Sequence, residues 1–155
     1  MFELSKGDLE RIYAQAAEEY PAECCGILTI GADGGNARVH PCENIQDRLH
    51  AENPEKFSRD SRIAYYIDPQ ELYDIISSAE KAGGLVAGFY HSHIDCEAYF
   101  SEEDKERAMV WDEPAYPEAI YLVLSVQNKE VKGYKCFLWD AEKEDFGEVG
   151  LQVVD

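Results

Sequence analysis

Gly88-Phe89-Tyr90-His91-Ser92-His93 closes an apolar run that begins at Leu85, and Ser101 and Asp104 follow a few residues on. A short apolar run of this kind reads as a buried strand, which makes a sheet the centre of the fold. Alternate side chains of a strand share a face, so His91 and His93 project together, about 7 Å apart at Cα. Two imidazoles so placed can reach one ion, since zinc–nitrogen bonds are about 2.0–2.1 Å. Asp104 can return as an oxygen ligand from the next element. Two neutral histidines and one aspartate leave bound zinc with positive charge and an open position, the arrangement of a catalytic site. His-x-His alone is a weak signal. Ser101-Glu102-Glu103-Asp104 also reads as a helix start, with Ser101 as N-cap and acids at the positive end of the dipole. The two readings are compatible, because a helix N-terminus facing the strand end can hold both cap and ligand.

Composition narrows the classes. At 155 residues and 45% hydrophobic content, a single globular domain over residues 1–155 is expected. A net charge of −18 argues against a phosphate-backbone partner, so no nucleic acid is expected. The chain has no 18-residue apolar run and no membrane span is expected. Met1-Phe2-Glu3-Leu4-Ser5-Lys6 lacks a charged-then-apolar signal pattern, which favours a cytoplasmic location. Five cysteines, an odd number without Cys-x-x-Cys, fit reduced thiols better than a disulfide framework.

Outward from the histidines, the chain alternates helices and strands. Residues 5–20 carry Leu9, Ile12, Tyr13, Ala16 and Ala17 at helical spacing, with Ser5 or Asp8 as cap, ending before Pro21. Residues 24–30 and 36–42 read as the arms of a hairpin around a Gly-rich turn. Residues 43–61 are polar and too long for an ordinary connector, so a short helix or functional flap is expected there. Residues 62–67 read as a strand. Asp68-Pro69 opens a helix with Leu72, Ile75, Ile76 and Ala79 on one face, closed by Gly83-Gly84. The histidine strand spans 85–93, a third helix 102–111, and three further strands 119–126, 131–139 and 147–153. This order suggests an α/β sandwich with a mixed sheet between helices.

Glu23 lies between the first helix and the apolar residues 24–30, where a carboxylate needs a partner or a task. A zinc-bound water needs a nearby base to take its proton and pass it to a leaving amine. Glu23 can serve only if residues 24–30 lie beside residues 85–93. Glu23 upstream, then His91-Ser92-His93, seven residues, Ser101, two residues and Asp104 together resemble the full signature of the JAMM (MPN+) zinc metalloproteases. Glu23-Cys24-Cys25-Gly26-Ile27-Leu28 and Gly88-Phe89-Tyr90 resemble that family too. The resemblance covers nearly the whole chain in element order, and implies its cytidine-deaminase-like α/β architecture. It implies a zinc-dependent (iso)peptidase with His91, His93 and Asp104 as ligands, Glu23 as general acid/base and Ser101 as hydrogen-bond donor to the tetrahedral intermediate. It further implies attack by a zinc-activated water after the C-terminal Gly-Gly of a ubiquitin-like or sulfur-carrier protein. The near-minimal length and the Cys96-Glu97-Ala98-Tyr99 segment look most like the small prokaryotic members. Phe100 stands where many relatives carry proline. Residues 43–61 with the adjoining strand are where the resemblance would place a substrate tail added as a strand.

Other readings compete. A zinc deaminase needs His-x-Glu with Pro-Cys-x-x-Cys, and neither is present. A non-catalytic scaffold of the same family would lack stoichiometric zinc. Cys96 reads as a loop thiol or as a sulfur ligand at the open position of zinc. Tyr65, Tyr66, Tyr73 and Tyr121 read as core aromatics rather than a binding platform. His40 and His50 have no partner pattern.

Overall fold

The computed structural model describes residues 3–155; Met1 and Phe2 of the amino-terminal stretch lie outside the described residues. The backbone runs β1 (Glu3–Ser5), α1 (Lys6–Glu19), β2 (Cys25–Gly31), β3 (Gly34–Cys42), α2 (Gln46–Glu52), α3 (Pro69–Lys81) and β4 (Leu85–Ile94). It continues through α4 (Glu102–Arg107), β5 (Met109–Val110), β6 (Glu113–Pro114), β7 (Ile120–Gln127), β8 (Glu130–Asp140), β9 (Asp145–Val149) and β10 (Gln152–Val154). Eight strands form one mixed sheet in the order β10-β1-β3-β2-β4-β7-β8-β9. β4 lies at its centre, antiparallel to β2 and parallel to β7. β9 and β10 occupy opposite edges, yet only Gly150 and Leu151 separate them. So short a link forces the sheet to curl until its edges approach.

Strand alternation divides the interior in two. On the concave side Ile12 and Ala16 of α1 bury against Cys24, Leu28, Tyr90, Leu122 and Leu124. On the other side Leu72, Ile75 and Ile76 of α3 pack with Cys25, Ile27, Phe89, Tyr121 and Val123. The expected mixed sheet between helices is therefore what the chain builds. α1 begins where Ser5 accepts the Asp8 N–H at 3.0 Å. α3 begins with Asp68 accepting the Gln70 N–H at 2.8 Å and Pro69 in the first turn.

Three expected elements change. Residues 62–67 form no strand; beyond a single bridge between Ile67 and Asn44 they run as turn and extended chain. Their carbonyls are taken locally, Ala64 by Asn44 Nδ2, Tyr65 by Arg107 and Tyr66 by the Ile45 N–H. The third helix stops at Arg107 instead of reaching residue 111, and β5 and β6 form a small hairpin with Trp111 at its tip. Residues 147–153 split at Gly150 into β9 and β10. The polar 43–61 segment holds the expected short helix, α2.

Candidate active site

Four backbone decisions build the site. The pairing of β4 with β7 carries His91 opposite Val123 and His93 opposite Ser125, which fixes both imidazoles on one face. The pairing of β2 with β4 sets Cys25 opposite His91. Ser92, between the histidines, points to the other face; its hydroxyl accepts the Cys24 N–H at 2.8 Å while its own N–H donates to the Cys24 carbonyl. Glu23, two residues before Cys25, thereby returns to the face of His91 and His93. Its N–H donates to the Ser61 carbonyl at 2.7 Å and its carbonyl accepts from Asn44 Nδ2 at 2.8 Å. The condition set on Glu23, that its strand lie beside the histidine strand, is met.

Asp104 arrives from α4. Ser101 is the N-cap, and Ser101 and Asp104 form a reciprocal capping box: Ser101 Oγ accepts the Asp104 N–H and Asp104 Oδ2 accepts the Ser101 N–H, each at 3.0 Å. The loop before it is pinned by Phe100, whose ring lies 5.0 Å from both Tyr121 and Phe146. Cap and ligand are thus one structure, because the oxygen that caps the helix also faces the histidines.

His91 Nε2, His93 Nε2 and Asp104 Oδ2 converge, with separations of 3.2, 3.1 and 3.1 Å. All three residues are buried. Four ligands around zinc at about 2.0–2.1 Å would lie about 3.3 Å apart, so these separations suit one small ion. Direct hydrogen bonds satisfy the triangle poorly, since two imidazole nitrogens also face each other. The donor set therefore fits a divalent cation, and the group can hold one. Burial lowers the His91 pKa, with Asp104 pulling the other way. Burial acts to raise the Asp104 pKa, but His91, His93 and the Ser101 N–H together hold it well below the usual carboxylate range.

Glu23 is 5% exposed. Burial, then the charges of Asp104 and Glu103, push its carboxyl up to about 9, with Arg107 and Arg59 opposing. Cys96 is exposed and stands outside the His91, His93 and Asp104 group, which does not support the sulfur-ligand reading. Tyr121 is core as expected, whereas Tyr73 is exposed. Tyr65 has a role the sequence reading missed: its ring stacks on His91 at 4.5 Å and 24°. Beside the site lies a cavity of about 290 Å³ whose lining includes Tyr65, Phe89, Tyr116, Tyr121 and Asp104. Nothing in the spacing of Tyr65 signalled this, because residues 64–66 approach β4 without pairing to it.

A curled mixed sheet with a buried His-x-His and an aspartate from the following helix defines the JAMM class of hydrolases. The profile of the prokaryotic homologs of the JAB domain matches residues 5–140. The chain belongs to that family, the small prokaryotic branch of the JAMM/MPN proteins. A desampylase of Haloferax volcanii is 33% identical over 115 residues, which are 74% of this chain and 70% of that one. A CysO-cysteine peptidase of Mycobacterium tuberculosis is 27% identical over 125 residues, 79% of this chain and 73% of that one. The crystal structure of a JAB1/MPN domain protein from Archaeoglobus fulgidus covers 100% of both chains with a TM-score of 0.55 at 18% identity, which shows the shared fold. With these relatives the chain is an enzyme, a JAMM-type hydrolase of the peptidase and isopeptidase kind.

Proposed function

We propose that this protein is a zinc-dependent (iso)peptidase that cuts after the C-terminal Gly-Gly of a ubiquitin-like or sulfur-carrier protein, acting in the cytoplasm as one domain over residues 1–155. The convergence of His91 Nε2, His93 Nε2 and Asp104 Oδ2 within 3.2 Å, with the Glu23 carboxyl on the same face, carries this reading. Desampylase and CysO-cysteine peptidase relatives support the substrate class.

His91, His93 and Asp104 would hold the metal, and zinc there would supply a Lewis acid and a water acidified towards neutrality. Burial is the main cause of the raised Glu23 pKa, with Asp104 and Glu103 adding to it. A cation held by Asp104 would oppose that rise and favour the carboxylate, the form that acts as a base. Glu23 takes a proton from the attacking water and delivers it to the departing amine. Ser101 Oγ spends a lone pair on the Asp104 N–H, and its own proton is left to donate to the developing oxyanion. The apolar cavity beside Asp104 offers a wall of aromatic rings to the residues flanking the scissile bond.

Of residues 43–61 and the adjoining strand, where a substrate tail was expected to add, the strand at 62–67 is absent and three successive carbonyls there, Ala64 to Tyr66, are already engaged within the protein. The test is incubation of zinc-loaded protein with ubiquitin-like proteins carrying C-terminal extensions, read by intact mass. Chelator-sensitive loss of everything beyond Gly-Gly is expected. Intact substrates throughout, or loss that persists in chelator, would contradict the proposal.

A further inference from the structure

Metal-binding histidines ordinarily donate their second ring N–H to a carboxylate, carbonyl or water, which fixes the ring. Here the buried Nδ1 of His93 has no hydrogen-bond partner among the described residues. Each imidazole of the pair also has an aromatic neighbour. Tyr65 stacks on His91 at 4.5 Å between centroids, and Tyr99 meets the edge of His93 at 4.7 Å. Tyr99 is half exposed, whereas Tyr65 is held from several sides.

Arg107 does the holding. It lies one turn after Asp104 on α4, so one helix carries both a cradle carboxylate and the clamp. Its guanidinium donates to the Tyr65 carbonyl and sits 5.8 Å from the Tyr65 ring centroid and 5.4 Å from that of Tyr66. It also reaches Gln46 Oε1 at 3.4 Å and pairs with Glu103 at 3.3 Å. Gln46, 1% exposed, donates to the Arg59 carbonyl at 2.8 Å, and Arg59 pairs with Glu103 at 2.9 Å. The chain between β3 and α3 is thus bolted to α4 at a ring of polar contacts, with Tyr65 as the part that reaches His91.

We propose that Tyr65, clamped by Arg107, is the positioning residue that fixes the His91 ring for metal binding. The stack restricts rotation of the His91 ring, so that its Nε2 stays aimed at Asp104 Oδ2. The Tyr65 hydroxyl makes no hydrogen bond among the described residues, so the ring face is what acts. The inference rests on the metal reading of the cradle.

The test is zinc affinity by chelator competition, with the visible spectrum of the cobalt-loaded protein as a second readout, on variants shown by circular dichroism to be folded. Tyr65→Phe keeps the stack and should bind zinc within about twofold of the parent. Tyr65→Leu should bind about tenfold or more weakly, the size of effect seen when a group orienting a ligand is removed, and its cobalt bands should shift. Arg107→Gln, which spares the ring but releases its clamp, should weaken zinc in the same direction. Leu72→Ala removes apolar packing from the same cavity wall and should leave affinity unchanged. Parental affinity in both Tyr65→Leu and Arg107→Gln, or equal loss in Leu72→Ala, would overturn the positioning role. A parent protein that binds no zinc would overturn it together with the metal reading, and so separates the two failures.

Discussion

At the residue scale the account turns on Glu23, whose backbone is held by Ser61 and Asn44 while its carboxyl faces Asp104 and Glu103. Glu23→Gln keeps shape and removes the proposed base, so it should retain stoichiometric zinc and lose turnover. Cleavage at the parental rate would remove Glu23 from the chemistry. The raised pKa makes a second, independent expectation for the metal-free protein. A carboxyl near 4.3 when unfolded and about 9 when folded favours folding below the first value, and that contribution disappears as pH climbs through the second. Chemical denaturation of chelator-treated protein should therefore show stability falling from about pH 4.5 towards 9. In Glu23→Gln this component of the fall should vanish, and identical pH profiles would contradict the burial argument. Ser101 is the N-cap of α4, and the proposed mechanism also makes it a donor to the oxyanion. Ser101→Ala should cost about 1 kcal/mol of stability through the lost cap. It should also cost about 10²–10³ in turnover, and a stability loss with unchanged turnover would confine Ser101 to capping.

Among the elements, β2 and β4 carry the site, and their close pairing depends on Gly26. A Cβ built there would lie 2.1 Å from the Tyr90 ring, which is fully buried and tethered through its hydroxyl to Gln15. Gly26→Ala should destabilise by about 1–3 kcal/mol, the usual cost of overpacking, measured by urea denaturation; a neutral result would mean that Tyr90 moves freely. Elements with a clean period were legible from sequence: α1 and α3 by their apolar stripes, β4 and β7 by apolar runs. The misread ones failed for local reasons. Residues 62–67 have strand-like composition, but Asn44, Ile45 and Arg107 capture their carbonyls before a neighbouring strand can. α4 breaks early because Met109 and Val110 pair across a turn with Glu113 and Pro114, and Trp111 takes φ 60° at the tip. β9 and β10 separate because each pairs with a different edge of the sheet, a long-range choice that no local pattern encodes. That His91, His93 and Asp104 come together was legible because strand alternation and a helix start set their spacing, and Glu23 stood out as an acid at the head of an apolar strand. The Tyr65 stack on His91 was not legible, since it depends on how residues 64–66 lie against β4 without pairing to it.

For the whole molecule, curling of the sheet brings α1 inside and leaves the other face to α3 and to the His91, His93 and Asp104 group. Among the described residues no helix is long and apolar enough to cross a membrane. A bound ion would link β4 to α4 in the folded state only, so binding and folding are coupled. With free zinc at about 100 times its dissociation constant the stabilisation is about 2.7 kcal/mol. For a chain of this size that is about 5–10 °C in Tm, and no loss of Tm on adding chelator would speak against occupation of the cradle. The most direct measurement is a crystal structure of protein purified without chelators, with anomalous data collected at the zinc edge. The account predicts one peak per chain, about 2.0–2.2 Å from His91 Nε2, His93 Nε2 and Asp104 Oδ2. A peak elsewhere, or a fully ordered cradle with none, would contradict it.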